Sequence, residues 1–300
     1  MNVLVVGGNG FIGVPLCTEL DDRGHDVTAL ARAPGEADLP ASVDTYAGDV
    51  TDYDSIEGAF EGVDAVVFLV ALTPLFEPKG GNEMHDRVHR GGTENCVRAA
   101  EAHGVDRYVQ LSALGADPDA ATHYLRAKGR ADEIVRASDL DWAIIQPSIV
   151  FGEGGEFVPF TKRLKKWFAP GLPLYPLPGG GDQMTFQPIH VAEFVPVVAD
   201  AAEDDDHVGE TYDIGGPEVL TLREVTDLVY EAEGKSVRVV GLPMGLAKVG
   251  LGVMGSVGFP MGMDQYRSLR FDNTVDENDL AAFGVTEHDL TTFAAYLGVE

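Results

Sequence analysis

A glycine-spaced turn between an apolar strand and an amphipathic helix constrains this chain more than any other feature. Val3-Leu4-Val5-Val6 is apolar and mostly β-branched, the make-up of a buried strand. Gly7, Gly10 and Gly13 follow at Gly-x-x-Gly-x-x-Gly spacing, with Asn9, Phe11 and Ile12 between them. Phe11, Ile12, Leu16 and Leu20 then recur at helical spacing, and Pro15 falls where an early helical turn tolerates it. Strand, glycine turn and helix together predict a cradle for a dinucleotide pyrophosphate. Gly7 permits the tight turn, Gly10 lets the backbone approach phosphate, and Gly13 lets helix and strand pack closely. The helix N-terminus adds N–H groups and a positive dipole end. Spacing alone is weak, since 36 glycines in 300 residues give about half a chance occurrence of such a triplet. The place between strand and helix is what gives it weight against a ligand-free glycine turn.

Strand and helix patterns alternate onward to Pro147, which stops a sixth strand at Asp141–Gln146. That alternation predicts an α/β fold, a Rossmann-type doubly wound parallel sheet. Beyond Phe151 the rhythm changes and Pro and Gly become dense from Pro159 to Gly181. The expected organisation is an NAD(P)-binding Rossmann domain over 1–150 and a smaller C-terminal lobe over 151–300, sharing one core with it. Strand-like residues span Met184 to Val191, and Thr221 with Glu224 has the form of a capping box.

Composition removes several alternatives. The net charge is −28, with acidic residues spread along the chain and only seven lysines. This argues against binding nucleic acid through phosphate contacts and matches the surface of proteins from salt-loving organisms, where salt screens repulsion. No run of about 18 strongly apolar residues predicts an ordinary transmembrane helix, and no basic segment introduces a signal peptide. Cys17 and Cys96 form no C-x-x-C pair, so a reducing cytoplasm is expected, without a disulfide framework or a cysteine zinc site.

The end of the second strand selects the dinucleotide. Ala29-Leu30-Ala31-Arg32 offers no carboxylate for a ribose 2′-hydroxyl. Arg32 either pairs with a 2′-phosphate or is a solvated surface arginine; NADP(H) is the favoured cofactor, with NAD(H) the alternative. Asp49-Val50 is placed at the adenine edge, and Leu69-Val70-Ala71 along the cofactor. Pro147 completes the expected cofactor contacts with Gly7, Asn9, Gly10, Phe11, Ile12, Gly13 and Lys128. Tyr124 and Lys128 stand one helical turn apart, where an ammonium stabilises phenolate and lowers the phenol pKa. Ser112, at the end of the fifth strand, is positioned to orient a substrate carbonyl or hydroxyl.

These motifs resemble the short-chain dehydrogenase/reductase superfamily, extended branch. Leu111–Asp117, Gln146–Gly152, Pro178–Gly181, Phe186–Val191 and Gly215–Glu218 resemble more closely an atypical subgroup, which includes the 39 kDa accessory subunit of respiratory complex I and proteins described as sugar-nucleotide epimerases or NAD(P)-binding reductases. The resemblance implies Tyr124 as acid/base, Lys128 binding nicotinamide ribose and tuning the tyrosine, and Ser112 placing the substrate. It implies an oxidoreductase or epimerase acting on a small molecule, sugar nucleotide or quinone-like. The other implication is a cofactor-holding accessory subunit of a membrane-associated respiratory complex, peripheral to the inner face of the membrane. One departure stands out: where extended members carry an Asn before Gly-Thr, this chain has His89-Arg90. His85 and His89, four apart, read as a surface or cleft pair rather than metal ligands. Lys162, Arg163, Lys165 and Lys166 sit in a helix that meets an anionic substrate, a lipid surface or solvent. Val240–Met263, Gly- and Met-rich, reads as an apolar lid or dock.

Overall fold

The computed structural model describes residues 1–256 and 258–299; Val257, within the expected lid or dock, and Glu300, at the end of the expected lobe, lie outside them. The chain forms two compact units. One comprises Met1–Leu72, Lys79–Pro147 and Val191–Asp213, the other Thr73–Pro78, Ser148–His190 and Ile214–Glu300.

The first unit is built on a seven-stranded sheet. Its strands are β1 (Asn2–Val6), β2 (Asp26–Ala31), β3 (Asp44–Ala47), β4 (Ala65–Phe68), β5 (Arg107–Leu111), β6 (Asp141–Pro147) and β7 (Glu210–Ile214), in the order β7-β6-β5-β4-β1-β2-β3. Every pairing among β1 to β6 is parallel. Parallel strands covered on both faces lose the alternation of a half-exposed sheet, and all four residues of β4 are fully buried. This unit's helices include α1 (Gly13–Asp22), α2 (Gly91–His103), α3 (His123–Arg136) and α4 (Val191–Glu203). Chain order reverses at β1, between β4 and β2, and ligands bind beyond the carboxyl ends of strands at such a switch point.

Two expectations shift, and one helical stretch carries an irregularity. Helix α1 begins at Gly13 rather than at Phe11: Gly8 N–H donates to Val5 O at 3.1 Å and Gly10 N–H to Gly7 O at 3.0 Å, closing successive turns over 5–8 and 7–10, and Phe11 and Ile12 are still in turn conformation. The helical stretch from Glu83 to His103 contains a π-helical segment, Asp86–Arg90. The division near residue 150 is not a single cut: residues 191–213 return to the sheet unit. Phe194, Val195, Val197 and Val198 of α4 are buried, and Arg23, just past the end of α1, donates to Asp200 and Glu203 at 2.6 and 2.7 Å.

The second unit has its own core around Phe151, Phe157, Tyr175, Phe186, Val225 and Phe293. The helix Leu222–Glu231 starts at the expected capping box, Thr221 with Glu224. The Met184–Val191 stretch divides into two-residue strands, Thr185–Phe186 and Ile189–His190, about Gln187-Pro188. No described helix is long and apolar enough to cross a membrane.

Candidate active site

Backbone sterics specify the glycine turn. Gly7 has φ +92°, a conformation few side chains adopt, and a Cβ there would lie 3.3 Å from Val70 beyond β4. A Cβ on Gly13 would fall 2.2 Å from Gly7 O, so only glycine fits. A Cβ on Gly10 would meet nothing nearer than Gly7 O at 3.2 Å. Gly10 is exposed, and the N–H groups of Phe11 and Ile12 have no acceptor among the described residues. Unpaired N–H groups, an open glycine and the start of α1 form an anion cradle, and these features fit a dinucleotide pyrophosphate.

The strand ends beside it hold the other expected cofactor residues. Arg32 follows β2 directly, is exposed and has no ion-pair partner among the described residues. Asn9 Nδ2 donates to Ala33 O at 3.2 Å, tying the glycine turn to the loop that carries Arg32. Burial works to raise the Asp49 carboxyl. Hydrogen bonds from Thr51 N–H and Oγ1, both 2.9 Å, with the charges of Arg32 and Arg87, outweigh it and hold Asp49 below the usual carboxylate range. Val50 is buried, and Leu69 N–H donates to Val6 O at 2.8 Å, placing Leu69-Val70-Ala71 beside the end of β1.

Helix α3 starts at Thr122, whose hydroxyl accepts from Leu125 N–H. Tyr124 and Lys128 stand one turn apart, but burial directs their chemistry. Lys128 is fully buried, and its Nζ donates to Leu111 O, at the end of β5, at 2.6 Å. Burial pulls this ammonium down to about 8 while the Asp132 charge opposes the shift. The Tyr124 phenol moves opposite to the sequence expectation: burial, and then the Asp132 charge, raise it above its ordinary value. Helical spacing puts the two side chains on one face and leaves the ε-amino group free to choose an acceptor, and it finds a carbonyl.

Ser112 is buried just beyond β5. Its Oγ donates to Asp132 Oδ2 at 2.6 Å, and Gln146 Nε2 donates to the same oxygen at 3.1 Å. The Ser112 hydroxyl therefore keeps its lone pairs to accept with, its proton being given to Asp132. Burial pushes the Asp132 carboxyl up to about 6 against those hydrogen bonds and the Lys128 and Arg136 charges. Pro147 O accepts from Leu114 N–H at 3.3 Å, closing the loop after β5 onto the end of β6.

His85 and His89 are buried, not surface or cleft residues. Their rings lie 5.6 and 5.3 Å from the Tyr124 ring and 5.4 Å from each other. His89 Nε2 accepts from Leu72 N–H at 2.8 Å, which leaves its proton on Nδ1, and that atom has no partner among the described residues. Burial, then Lys128 and His85, push His89 well below its ordinary value, so it is neutral. The π-helical segment carries His89, and such segments recur at functional sites.

Asp132 and Gly129 escaped the sequence reading. Asp132 was legible as the next i+4 position after Lys128 on the helix face carrying Tyr124. Gly129 was legible only from structure, where a Cβ would fall 2.3 Å from the Asp117 backbone.

Residues 7–163 match the family described as NAD(P)H-binding. Among curated relatives, the chain is 28% identical over 297 residues to the mitochondrial NADH dehydrogenase [ubiquinone] 1 alpha subcomplex subunit 9 of Arabidopsis thaliana, covering 92% of this chain and 71% of that protein. It is 26% identical over 255 residues to the NAD(P)H azoreductase of Xenophilus azovorans, covering 84% of this chain and 81% of that enzyme. A solved nucleoside-diphosphate-sugar epimerase from Staphylococcus aureus has the same fold, with a TM-score of 0.74, 16% identity and 99% of both chains covered.

Proposed function

We propose, on the premise that this chain belongs to the NAD(P)H-binding family, that it is an NADP(H)-preferring oxidoreductase or epimerase with Tyr124 as its acid/base. The observation that carries this reading is the site on α3: a half-buried phenol one turn from a buried ammonium, beside the end of β5. When bound, the nicotinamide supplies hydride chemistry. Gly10, Phe11 and Ile12 hold the pyrophosphate, Arg32 pairs with the 2′-phosphate, and Asp49, Val50 and Leu69–Ala71 line the adenine and ribose. Tyr124 Oη exchanges a proton with a substrate oxygen, Lys128 keeps positive charge nearby, and the Ser112 hydroxyl accepts from a substrate donor. Sugar nucleotides and quinone-like carbonyls are the substrate classes to screen.

A second reading is a cofactor-holding accessory subunit of a respiratory complex. The raised Tyr124 phenol and the bond between Ser112 and Asp132 favour it, as does likeness to the plant NADH dehydrogenase subunit. Calorimetric NADPH titration followed by turnover screening separates the two. For the enzyme, Tyr124→Phe keeps NADPH affinity and lowers turnover by roughly 10²–10⁴-fold. NADPH binding without turnover in the wild type, with Tyr124→Phe indistinguishable from it, would assign the accessory role.

A further inference from the structure

Two stretches of the second unit stand apart from the rest of the chain. From Phe157 to Gly181 and from Gly234 to Met263 there is no acidic residue, in a protein with 49. The same stretches hold most of the exposed large apolar side chains among the described residues. They meet in space: strand Leu174–Pro178 pairs parallel with strand Arg238–Leu242, and the Trp167 and Phe259 rings lie 4.9 Å apart.

Helix Met244–Ser256 is apolar on both sides. Ala247 and Leu251 are buried, while Leu246, Val249 and Val253 are 64%, 64% and 58% exposed at i, i+3 and i+7. A surface helix ordinarily turns polar residues to water, and an exposed apolar patch marks an interaction site. The helix has 13 residues, below the roughly 20 that cross a bilayer. In the other stretch, helix Phe157–Phe168 carries Lys162, Arg163, Lys165 and Lys166 and ends in exposed Trp167 and Phe168. Lys162 is bound to Glu233, but Lys166, Arg238 and Lys248 have no ion-pair partner among the described residues.

We propose that this face is a docking surface for an anionic lipid bilayer, independent of the cofactor and acid/base readings. A two-fold contact with a second copy would bring a second set of Lys166, Arg238 and Lys248 into one interface to which these stretches supply no acidic residue. An anionic membrane supplies the opposite charge for the cations and an apolar layer for Leu246, Val249 and Val253. It also suits Trp167, an aromatic at the boundary between them.

Trp142→Phe leaves Trp167 as the sole tryptophan, since the chain has two. In that background, vesicles of phosphatidylglycerol and phosphatidylcholine are expected to carry the protein upward in flotation, and brominated acyl chains to quench Trp167. Leu246→Glu/Val249→Glu/Val253→Glu should weaken binding at least about tenfold with circular dichroism and melting unchanged. Lys166→Glu should weaken it roughly fivefold on anionic vesicles only. If the triple variant does not fold, Val249→Glu and the quenching decide. Failure of the wild type to float, or variants that float equally well, overturns the proposal. A dimer or protein complex that Val249→Glu dissolves, without vesicle binding, also overturns it and gives the surface to a protein.

Discussion

The glycine turn after β1 and helix α3 both carry a motif of fixed spacing, yet the structure constrains them in different ways. In the turn, the backbone decides everything. Gly7 needs its positive φ, Gly13 has no room for a Cβ, and Gly10 leaves an open approach. On α3 the backbone delivers only a shared face. What Lys128 then does is set by burial and by a carbonyl within reach, and the Tyr124 phenol rises instead of falling. Glycine spacing specifies geometry; spacing between ionisable groups specifies candidates whose charges depend on everything packed around them.

The sharpest way to break this comparison is to add a methyl group to the turn. Gly13→Ala forces a Cβ into Gly7 O at 2.2 Å and into Gly8 at 2.7 Å, which should cost more than about 3 kcal/mol. Gly10→Ala meets only Gly7 O at 3.2 Å. It should change stability by less than about 1 kcal/mol while lowering NADPH affinity sharply. Chemical denaturation beside NADPH titration separates the fold-determining glycine from the ligand-facing one. A Gly13→Ala protein as stable as wild type would show that the turn is looser than described.

On α3 the corresponding test is electrostatic. Burial lowers Lys128 from its ordinary 10.5 to about 8. Between those pH values the unfolded chain holds a proton that the folded chain has lost, so folding gains stability as pH rises through this window. Compared with Lys128→Met, which cannot titrate, wild type should gain on the order of 2–3 kcal/mol from pH 8 to 10.5. Denaturation of both proteins across that range measures the difference. A flat difference would mean that the ammonium is solvated.

The same contrast explains what was legible in the sequence. The doubly wound sheet was legible because strands such as Val3–Val6 and Ala65–Phe68 are continuous apolar runs between helical patterns, and hydrophobic period is a local property. The return of 191–213 to the sheet unit was not, because it rests on α4 packing with α1 and on Arg23 reaching Asp200 and Glu203 far along the chain. In the site, residue types and their elements were legible at Tyr124, Lys128 and Ser112. Their partners were not: Leu111 O, Asp132 and the Tyr124–His89 ring contact arise from tertiary packing. The π-helical turn carrying His89 leaves no periodic trace in so short a segment.

Arg32 brings the comparison to a side chain at the edge of the backbone-determined region. It is exposed, and it is not bound to another residue by an ion pair among the described residues. A 2′-phosphate would gain a charge-assisted bond from it at little cost elsewhere. Arg32→Ala should lower NADPH affinity by roughly tenfold and leave NADH affinity unchanged. Equal losses for both cofactors would remove Arg32 from the 2′-phosphate, and no loss for either would make it a solvated surface arginine.

Asn9 tests the smallest effect, because it joins the two kinds of determinant. It lies within the glycine turn, yet its amide holds Ala33 O at 3.2 Å, one residue beyond Arg32. If that bond is its contribution, Asn9→Ala loosens the loop carrying Arg32 while leaving Gly7, Gly10 and Gly13 in place. Stability should fall by about 0.5–1.5 kcal/mol, the usual net worth of one hydrogen bond. NADPH affinity should fall only a few-fold, by no more than about that free energy, and NADH affinity should fall less. If Asn9 instead touches the pyrophosphate, a group common to both cofactors, the two affinities fall together. The Asn9→Ala/Arg32→Ala double variant decides between these outcomes. Acting through Arg32, Asn9→Ala adds nothing to NADPH discrimination once the guanidinium is gone; acting on the pyrophosphate, it adds its full loss for either cofactor.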